Sequence, residues 1–317
     1  MDYKSDNNKT VKTETGRSKG SWPGSKQQLT DLILLLRPKQ WTKNLLLFAG
    51  LIFSYNILQA HLVLYAVIAF IAFCLLSGCM YIINDLVDLE EDRRHPYKKY
   101  RPLAAGRVEL RAAIVLLVTL LVITFTVAWL VNIYFFIISL VFLALLLSYS
   151  LWLKHVVILD VLIIAFGFLL RALAGAIAIS VDISAWFLLC TLLLALFLAL
   201  IKRRQESVNS AGDGAEQRKV LKHYPVQYLD QLISIVTAAA ILGYSLYTFT
   251  ASQTDYFMLT IPFVIYGIFR YLYLLHHKNM GENPEEVLLQ DKPTLVNIIA
   301  WVLLSILILS LEHGGII

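Results

Sequence analysis

Residues 84–101 read NDLVDLEEDRRHPYKKYR, and they directly follow the apolar residues 62–83, which contain no charged side chain. On a continuing helix Asn84, Asp88 and Asp92 share one face, because residues four apart are neighbours on a helix surface. We call these three residues the acidic ladder. Oxygen ligands at this spacing suit Mg²⁺, which takes carboxylates together with phosphate oxygens and keeps some of its waters. The Lys and Arg side chains that follow suit the other phosphates of a polyphosphate.

The composition of the chain is typical of a polytopic membrane protein. Of its 317 residues, 58% are hydrophobic and the mean hydropathy is +0.69, which is too apolar for an ordinary soluble domain. The apolar stretches long enough to cross about 30 Å of hydrocarbon lie near residues 44–60, 62–83, 112–131, 133–151, 156–180, 184–201, 231–250, 256–275 and 294–312. The sequence therefore predicts an all-α bundle of nine transmembrane helices.

The positive residues alternate between the two sides of these spans. Of the 27 Lys and Arg, nine precede the first span, seven lie between the second and third, and six lie between the sixth and seventh. The links at 54–60, 132, 180–184 and 251–255 carry none. Because cytoplasmic loops are enriched in Lys and Arg, we expect the N-terminus in the cytoplasm and the C-terminus outside. Residues 211–214 and 281–283 then face the cytoplasm.

The chain divides at the start of its apolar part. Residues 1–28 are polar and rich in Lys, Ser and Asn, which predicts a disordered, basic cytoplasmic tail, and residues 29–317 are expected to form the transmembrane domain that carries the acidic ladder. The cations are spread over loops that the orientation already explains, so nucleic acid is not an expected partner. Cys74, Cys79 and Cys190 lie inside predicted spans without metal-ligand spacing, which indicates small packing residues.

Two charged residues fall inside the fifth span, where ionisable groups are costly and usually functional. They belong to one helical face of small and polar residues, formed by Asp160, Ile164, Gly167, Arg171, Ala174 and Ala178. Such a face is expected to look into the bundle. Asp160 and Arg171 are about 16 Å apart along the helix axis, so they cannot pair with each other. Arg171 therefore needs a partner elsewhere, which is a ladder carboxylate, an anionic ligand, or an acidic residue of another helix in a buried ion pair.

Two further basic sites have more than one interpretation. Lys202 and Arg203 open the loop after the sixth span, and they fit either an ordinary cytoplasmic cluster at a helix end or a phosphate site. An ordinary cytoplasmic cluster explains the Lys and Arg residues but not the acidic Glu206 that follows them. Arg270, near the cytoplasmic end of the eighth span, fits either a function or an interfacial position with its charge in water.

At this point the residues resemble a known family. The ladder, followed by Arg101-Pro102-Leu103-Ala104-Ala105-Gly106, is similar to the first aspartate-rich motif of the UbiA family of intramembrane prenyltransferases. Further matches within residues 30–312 lie at 37–44, 149–154, 159–175, 202–206, 266–271 and 284–293. Together they resemble the branch that moves phosphoribose from 5-phosphoribosyl 1-diphosphate (PRPP) to a polyprenyl phosphate. The resemblance implies a transferase of cell envelope biosynthesis in the cytoplasmic (inner) membrane, with its site facing the cytoplasm.

The resemblance also assigns roles to particular side chains. It implies Mg²⁺, with Mn²⁺ as a substitute, on Asn84, Asp88 and Asp92, and it makes Asp88, Asp92 and Arg171 the expected catalytic residues. The residues expected to bind substrate are Lys43, Tyr81, Lys98, Arg101, Lys154, Asp160, Arg171, Lys202 and Arg203. The first four suit the donor. Among Lys154, Arg171, Lys202 and Arg203 the sequence does not separate contacts to the lipid phosphate from contacts to the ribosyl 5-phosphate.

Two alternatives remain open at the level of sequence. One is an aromatic prenyltransferase of quinone biosynthesis, although that type carries a second aspartate-rich motif where this chain has Lys202-Arg-Arg-Gln-Glu206. The other is a transporter or lipid-binding membrane protein whose buried charges line a pathway. The expected partners are PRPP, polyprenyl phosphate and the lipid bilayer, and the sequence leaves the oligomeric state open.

Overall fold

The protein is built from helices. The computed structural model describes residues 25–54, 59–210, 221, 223–250, 255–278 and 290–313, and the regular elements in these ranges are all helical. The α-helices are α1 (Ser25–Leu35), α2 (Ala49–Phe53), α3 (Ala60–Val87), α4 (Leu89–Arg94), α5 (Leu110–Val131), α6 (Ile133–Leu151), α7 (Leu159–Ala178), α8 (Ala185–Ser210), α9 (Val226–Thr250), α10 (Ile261–Lys278) and α11 (Lys292–His313). Short 3₁₀ segments occupy Pro38–Phe48, Lys98–Tyr100, Leu153–His155 and Asp255–Thr260. The all-α prediction is confirmed.

Parts of the predicted organisation fall outside the described ranges. These are residues 1–24 of the expected tail, the expected cytoplasmic links at 211–214 and 281–283, and the C-terminal residues 314–317. Helix α1 begins at Ser25, so the last positions that we assigned to the disordered tail are helical.

In the described part of the chain, eight helical stretches are long and apolar enough to cross a membrane. The chain is therefore an integral membrane protein. The predicted span near residues 44–60 is not among these eight. There the chain forms the 3₁₀ segment Pro38–Phe48 and the five-residue helix α2, and residues 55–58 lie outside the described ranges. The count of nine spans stays a prediction.

The segment formed by Pro38–Phe48 and α2 packs against α7, and the two backbones approach each other closely. A Cβ atom on Gly175 would lie 2.0 Å from the carbonyl oxygen of Leu47, and one on Gly50 would lie 3.0 Å from the Cα atom of Ala176. Small residues on both sides permit this approach. The small and polar face of α7 is buried here, apart from the half-buried Ile164. The prediction that this face looks into the bundle is confirmed.

We expect Gly175→Ala to destabilise the fold, because the new methyl group would meet the backbone of Leu47, which cannot rotate away. Overpacking of this kind typically costs about 1–3 kcal/mol. Gly167→Ala on the same helix is the matched control, since its Cβ atom would meet Arg171 Nη1 at an ordinary 3.5 Å. Thermal unfolding in detergent should show a lower midpoint for the Gly175 variant alone. Equal midpoints for the two variants would contradict the close packing.

Two clusters of buried hydrophobic side chains hold the bundle together. One joins α3, α5, α6 and α7, and in it the rings of Phe73 and Phe142 lie 5.0 Å apart. The other joins α7, α8, α9 and α10, and in it the rings of Phe197 and Tyr271 lie 5.8 Å apart. Large apolar side chains also point outward, as Leu130 does with 76% exposure. Outward apolar side chains are expected where helices face lipid.

Arg270 joins α10 to the start of α11. Its guanidinium donates to both carboxylate oxygens of Asp291, at 3.0 and 2.7 Å. Asp291 also accepts from the N–H and the hydroxyl of Thr294, as a helix-capping residue does. The structure thus gives Arg270 a defined ion pair, which neither interpretation of the sequence included. The hydrogen bonds from Arg270 hold the pKa of the Asp291 carboxyl below its usual range.

A carboxyl whose pKa is lowered by folding stabilises the native state above the pKa of the unfolded chain. This stabilisation disappears as the pH falls through the folded-state pKa. We therefore expect Asp291→Asn to lower the unfolding temperature at neutral pH, by an amount that shrinks as the pH falls below about 4. Thermal unfolding at a series of pH values measures this difference. The exposed Asp182 provides a control in Asp182→Asn, and a pH-independent difference for the Asp291 variant would contradict the assignment.

Candidate functional site

The acidic ladder spans the end of α3 and the start of α4. Asp88 is the one residue between the two helices, and its N–H donates to the carbonyl of Asn84 at 2.9 Å. The N–H of Asp92 donates in turn to the carbonyl of Asp88 at 2.8 Å. Helical hydrogen bonding therefore continues through the junction and keeps the three side chains about one turn apart.

Two ladder side chains contact the end of α6 and the segment after it. The hydroxyl of Ser150 donates to the amide oxygen of Asn84. Lys154, in the 3₁₀ segment Leu153–His155, places Nζ 2.9 Å from Oδ1 of Asp88. The structure thus brings Lys154, which the sequence assigned to a substrate phosphate, directly to the ladder.

The third ladder residue, Asp92, belongs to a chain of ion pairs. Arg101 Nη1 lies 2.5 Å from Asp92 Oδ2 and 3.2 Å from Asp85 Oδ1. Lys98 Nζ lies 3.9 Å from Asp92 Oδ1, and Arg37 pairs with Asp85. The two carboxylates are buried, whereas the side chains of the three cations are 28–40% exposed. The cations therefore form the accessible rim of the site.

Arg37 is a member of the site that the sequence analysis did not single out. Its backbone is left-handed, with φ 48° and ψ 64°, which in a non-glycine residue costs about 1–3 kcal/mol. Its guanidinium carbon lies 4.7 Å from the ring centroid of Tyr81, a cation–π contact. Tyr81, which we expected at the donor, thus supports a cation of the rim. Pro38 gave no signal of this conformation, because a residue before proline favours an extended backbone; the available signal was the match at residues 37–44.

The 3₁₀ segment Pro38–Phe48 carries Lys43 and Asn44. The ammonium of Lys43 lies 2.5 Å from Oε1 of Gln40. Asn44 is completely buried, and its amide oxygen accepts from Arg171 Nε at 2.8 Å and from the hydroxyl of Ser77 at 3.4 Å. Asn44 could not be singled out from the sequence, because a single amide side chain in an irregular segment belongs to no helical or strand periodicity.

Arg171 is a buried cation inside the bundle. Its guanidinium carbon lies 4.7 Å from the ring centroid of Phe142 and 5.2 Å from that of Phe168. Besides these rings it contacts Asn44. Among the described residues, no Asp or Glu forms an ion pair with Arg171. Neither a ladder carboxylate nor an acidic residue of another helix is therefore its partner among these residues, and the anionic ligand stays a prediction.

Arg171 lies deeper in the bundle than the ladder. Its partner Asn44 contacts Ser77, which precedes Asn84 by seven residues on α3. At 1.5 Å per residue this corresponds to about 10 Å along the helix. The Ser77 end of this contact thus lies about two helical turns from Asn84 along α3.

Arg203 and Asp160 form an ion pair in the interior, between α8 and α7. Arg203 Nε lies 2.5 Å from Asp160 Oδ2, and their side chains are 1% and 0% exposed. Nη1 donates to Glu206 at 2.5 Å and Nη2 donates to Tyr149 Oη at 3.1 Å. The structure gives Arg203 and Asp160 buried protein partners, and their expected contact with substrate stays a prediction. The physical reason for these partners is that a buried charge needs a counter-charge, which also explains why Glu206 follows the cluster.

Tyr224 completes this buried group, although it lies outside every motif. Its hydroxyl donates to Asp160 Oδ1 at 2.7 Å and accepts from the N–H of Ile158 at 2.6 Å. Burial, and then the hydrogen bond to Asp160, raises the pKa of Tyr224 well above its usual value. The phenol therefore keeps its proton and acts as a donor.

The other basic residues after the sixth predicted span differ in their surroundings. Arg204 forms an ion pair with Asp230 of α9 at 2.5 Å. Lys202 is half-buried, and among the described residues it has no ion-pair partner. Its role toward a substrate phosphate stays a prediction.

The ladder has oxygen donors that fit a divalent metal. In the described ranges no group of three or more His, Cys, Asp or Glu can enclose a metal ion. Mg²⁺ at phosphate sites needs one or two carboxylates, with phosphate and water supplying the other ligands. Asp92 Oδ1 is buried and accepts no hydrogen bond, and the ammonium of Lys98 lies 3.9 Å away. This free oxygen fits Mg²⁺ bound together with a substrate phosphate.

The fold and the site define an all-α membrane protein with carboxylates and cations gathered at the end of a membrane helix. The chain belongs to the UbiA prenyltransferase family, whose sequence profile matches residues 45–289. The UbiA-like architecture predicted from the motifs is confirmed.

Relatives and solved structures agree with this membership. The chain is 34% identical over 297 residues to the decaprenyl-phosphate phosphoribosyltransferase of Mycolicibacterium smegmatis, covering 87% of this chain and 92% of that protein. It is 34% identical over 281 residues to the protein of the same name from Corynebacterium glutamicum, covering 86% and 84%. The structure of a UbiA homolog from Archaeoglobus fulgidus bound to DMAPP and Mg²⁺ matches with a TM-score of 0.69 at 19% identity, covering 88% and 99%. That likeness shows the fold.

Proposed function

We propose that the protein transfers the 5-phosphoribosyl group of PRPP to a polyprenyl phosphate of the decaprenyl type and releases diphosphate. Its relatives named decaprenyl-phosphate phosphoribosyltransferase, which match most of the chain, support this activity. A Mg²⁺-dependent reaction is supported by the UbiA homolog that binds DMAPP and Mg²⁺.

The observation that carries the proposal is the excess of cations over carboxylates at the site. The cations are Arg37, Lys98, Arg101 and Lys154, and the carboxylates are Asp85, Asp88 and Asp92. A donor with both a diphosphate and a 5-phosphate is a better match for this charge than a prenyl diphosphate. The position of a second aspartate-rich motif also holds Arg203, in its own ion pair.

Asn84, Asp88 and Asp92 would hold the divalent metal, with Mn²⁺ as a substitute for Mg²⁺. When bound, the metal neutralises the charge that develops on the leaving diphosphate. Lys154 and Arg101 are each paired with a ladder carboxylate. On binding of the donor with its metal, these cations therefore exchange a carboxylate for a phosphate.

The remaining cations are assigned to two different phosphate groups. Lys43 and Lys98 would bind donor phosphates near the ladder. Arg171 and Lys202 would bind the second phosphate group, either that of the lipid or the ribosyl 5-phosphate. Arg203 and Asp160 would support the site from behind, because both are buried in their own ion pair.

The reaction is a displacement at the anomeric carbon. The bond from C1 to the diphosphate oxygen breaks while an oxygen of the lipid phosphate bonds to C1, so the anomeric centre is inverted. A phosphate monoester is already anionic near neutral pH, so the reaction requires no strong general base. The cations near the ladder, together with Arg171 and Lys202, would hold both charged partners in line.

The orientation of the site follows from the distribution of charge. PRPP is soluble, and the loops rich in Lys and Arg indicate the cytoplasmic side. We therefore place the ladder at the cytoplasmic face of the inner membrane, with the polyprenyl tail between the helices.

Incubation of membranes with labelled PRPP and a polyprenyl phosphate tests the function. Label should enter the lipid extract in proportion to the diphosphate released, and only when the protein and Mg²⁺ are present. A parallel incubation supplies a prenyl diphosphate and an aromatic acid. Prenylation of the acid without use of PRPP would replace the proposal with the aromatic prenyltransferase, and no reaction with either donor would favour a transporter or binding protein.

A further inference from the structure

The segment from Trp152 to Ile158 connects α6 to α7 and carries Lys154, and Tyr149 lies just before it in the last turn of α6. Val157 packs against the cluster that joins α7 to α10, but burial does not fix the rest of this connection, since Trp152 is 68% exposed and Ile158 is 45% exposed. Lys154 nevertheless contacts Asp88 at 2.9 Å. Some other feature of the molecule must therefore hold the segment in place.

Both ends of the segment are anchored to one buried group. At the first end, Tyr149 Oη accepts from Arg203 Nη2 at 3.1 Å. At the second end, the N–H of Ile158 donates to the hydroxyl of Tyr224 at 2.6 Å. Ile158 has φ 71°, which a β-branched residue adopts only where its surroundings impose it.

The buried group joins these two anchors. Asp160 accepts from Arg203 Nε at 2.5 Å with one oxygen and from the hydroxyl of Tyr224 at 2.7 Å with the other. Glu206 holds the remaining side of the guanidinium at 2.5 Å. Arg203, Asp160 and Tyr224 are at most 1% exposed. Hydrogen bonds among fully buried polar groups are held rigidly, because breaking one leaves an unpaired group.

We propose that Arg203, Asp160 and Tyr224 form a positioning network that sets the place of Lys154 against the acidic ladder. The network touches no reacting atom; it acts through the segment whose two ends it holds. Its role in donor binding rests on the proposed function, whereas its hold on the segment does not.

Tyr224→Phe removes the hydroxyl that serves both Ile158 and Asp160. The probe is inorganic diphosphate with Mg²⁺, titrated onto the full-length protein in detergent. We expect about a tenfold loss of affinity, of the size expected for a disturbed charge-assisted contact. Adding Tyr224→Phe to Lys154→Met should lower the affinity by no more than about a further twofold, because the network acts through Lys154.

Hydrogen exchange of the free protein gives a second readout that does not depend on binding. Amides of residues 153–158 should exchange faster in Tyr224→Phe than in the parent. Tyr149→Phe, which loses one anchor only, should show a smaller effect of the same kind and serves where the first variant folds poorly. Tyr244→Phe is the matched control, because Tyr244 is another buried phenol with partners in Thr260 and Trp301.

The outcomes separate this inference from the proposed function. Faster exchange at 153–158 and weaker diphosphate binding, with Tyr244→Phe unchanged in both, support the network even if PRPP is not the substrate. Unchanged exchange at 153–158 in both Tyr224→Phe and Tyr149→Phe would overturn it. So would equal effects of Tyr244→Phe and Tyr224→Phe, or full additivity with Lys154→Met.

Discussion

Asp88→Asn should reduce phosphoribosyl transfer by about a hundredfold or more in a protein that still inserts and folds. Asparagine keeps the size of the side chain but removes a hard anionic ligand. Metal catalysis supplies several kcal/mol, and each 1.4 kcal/mol corresponds to about a factor of ten in rate. EDTA should cause the same loss in the parent protein, and added Mg²⁺ should restore the activity. The measurement is transfer of labelled phosphoribose to lipid over a range of Mg²⁺ concentrations.

Two controls separate the metal role of Asp88 from its ion pair with Lys154. Glu90, on α4, is 72% exposed, so Glu90→Gln should retain activity. Lys154→Met removes the other member of the pair and should raise the KM for PRPP without changing the Mg²⁺ requirement. If Asp88→Asn behaved like Lys154→Met, Asp88 would only hold the lysine. Full activity of the parent in EDTA would make the ladder structural.

The membrane helices could be predicted because the hydrophobicity of one continuous stretch of sequence is enough to identify each of them. A spanning helix satisfies its own backbone, so apolar stretches of sufficient length mark it. The stretch at 44–60 shows the limit of predicting a span from local hydrophobicity. Its composition fits a span, but the described part forms a 3₁₀ segment and a short helix packed on α7 at Gly175. That close contact depends on a glycine more than a hundred residues away in the chain.

Part of the candidate site could likewise be predicted from the sequence, and part of it could not. The ladder depends on helical spacing, which the sequence contains, and the structure keeps that spacing. Lys154 and Arg203 looked equivalent, because both are cations near helix ends. Only the fold brings the buried carboxylate of Asp160 to Arg203, whose other partner Glu206 is a helix neighbour, and only the fold brings Lys154 to Asp88. Which cation finds a buried counter-charge is decided by tertiary contacts.

Arg171→Met should leave the unfolding temperature unchanged or raise it, and yet reduce transfer by about a hundredfold or more. A cation in the membrane interior is costly, and no described carboxylate pairs with Arg171. Methionine fits between Phe142 and Phe168 and forms favourable contacts with aromatic rings. If the guanidinium binds a phosphate, its removal loses charge-assisted hydrogen bonds worth roughly 1.5–3 kcal/mol each. Initial rates with each substrate varied in turn will show whether the KM for PRPP or for the polyprenyl phosphate rises.

Arg203→Met provides the comparison, because the same substitution at a second buried arginine should have the opposite effect on stability. It leaves Asp160 and Glu206 without their cation, and breaking a buried ion pair in this way costs about 3–5 kcal/mol. The change in unfolding temperature therefore distinguishes a cation that stabilises the fold from one that binds a ligand. If Arg171→Met unfolded as readily as Arg203→Met, Arg171 would be structural. If it stayed both stable and active, no substrate phosphate would depend on Arg171, and the second phosphate site would have to be sought at Lys202.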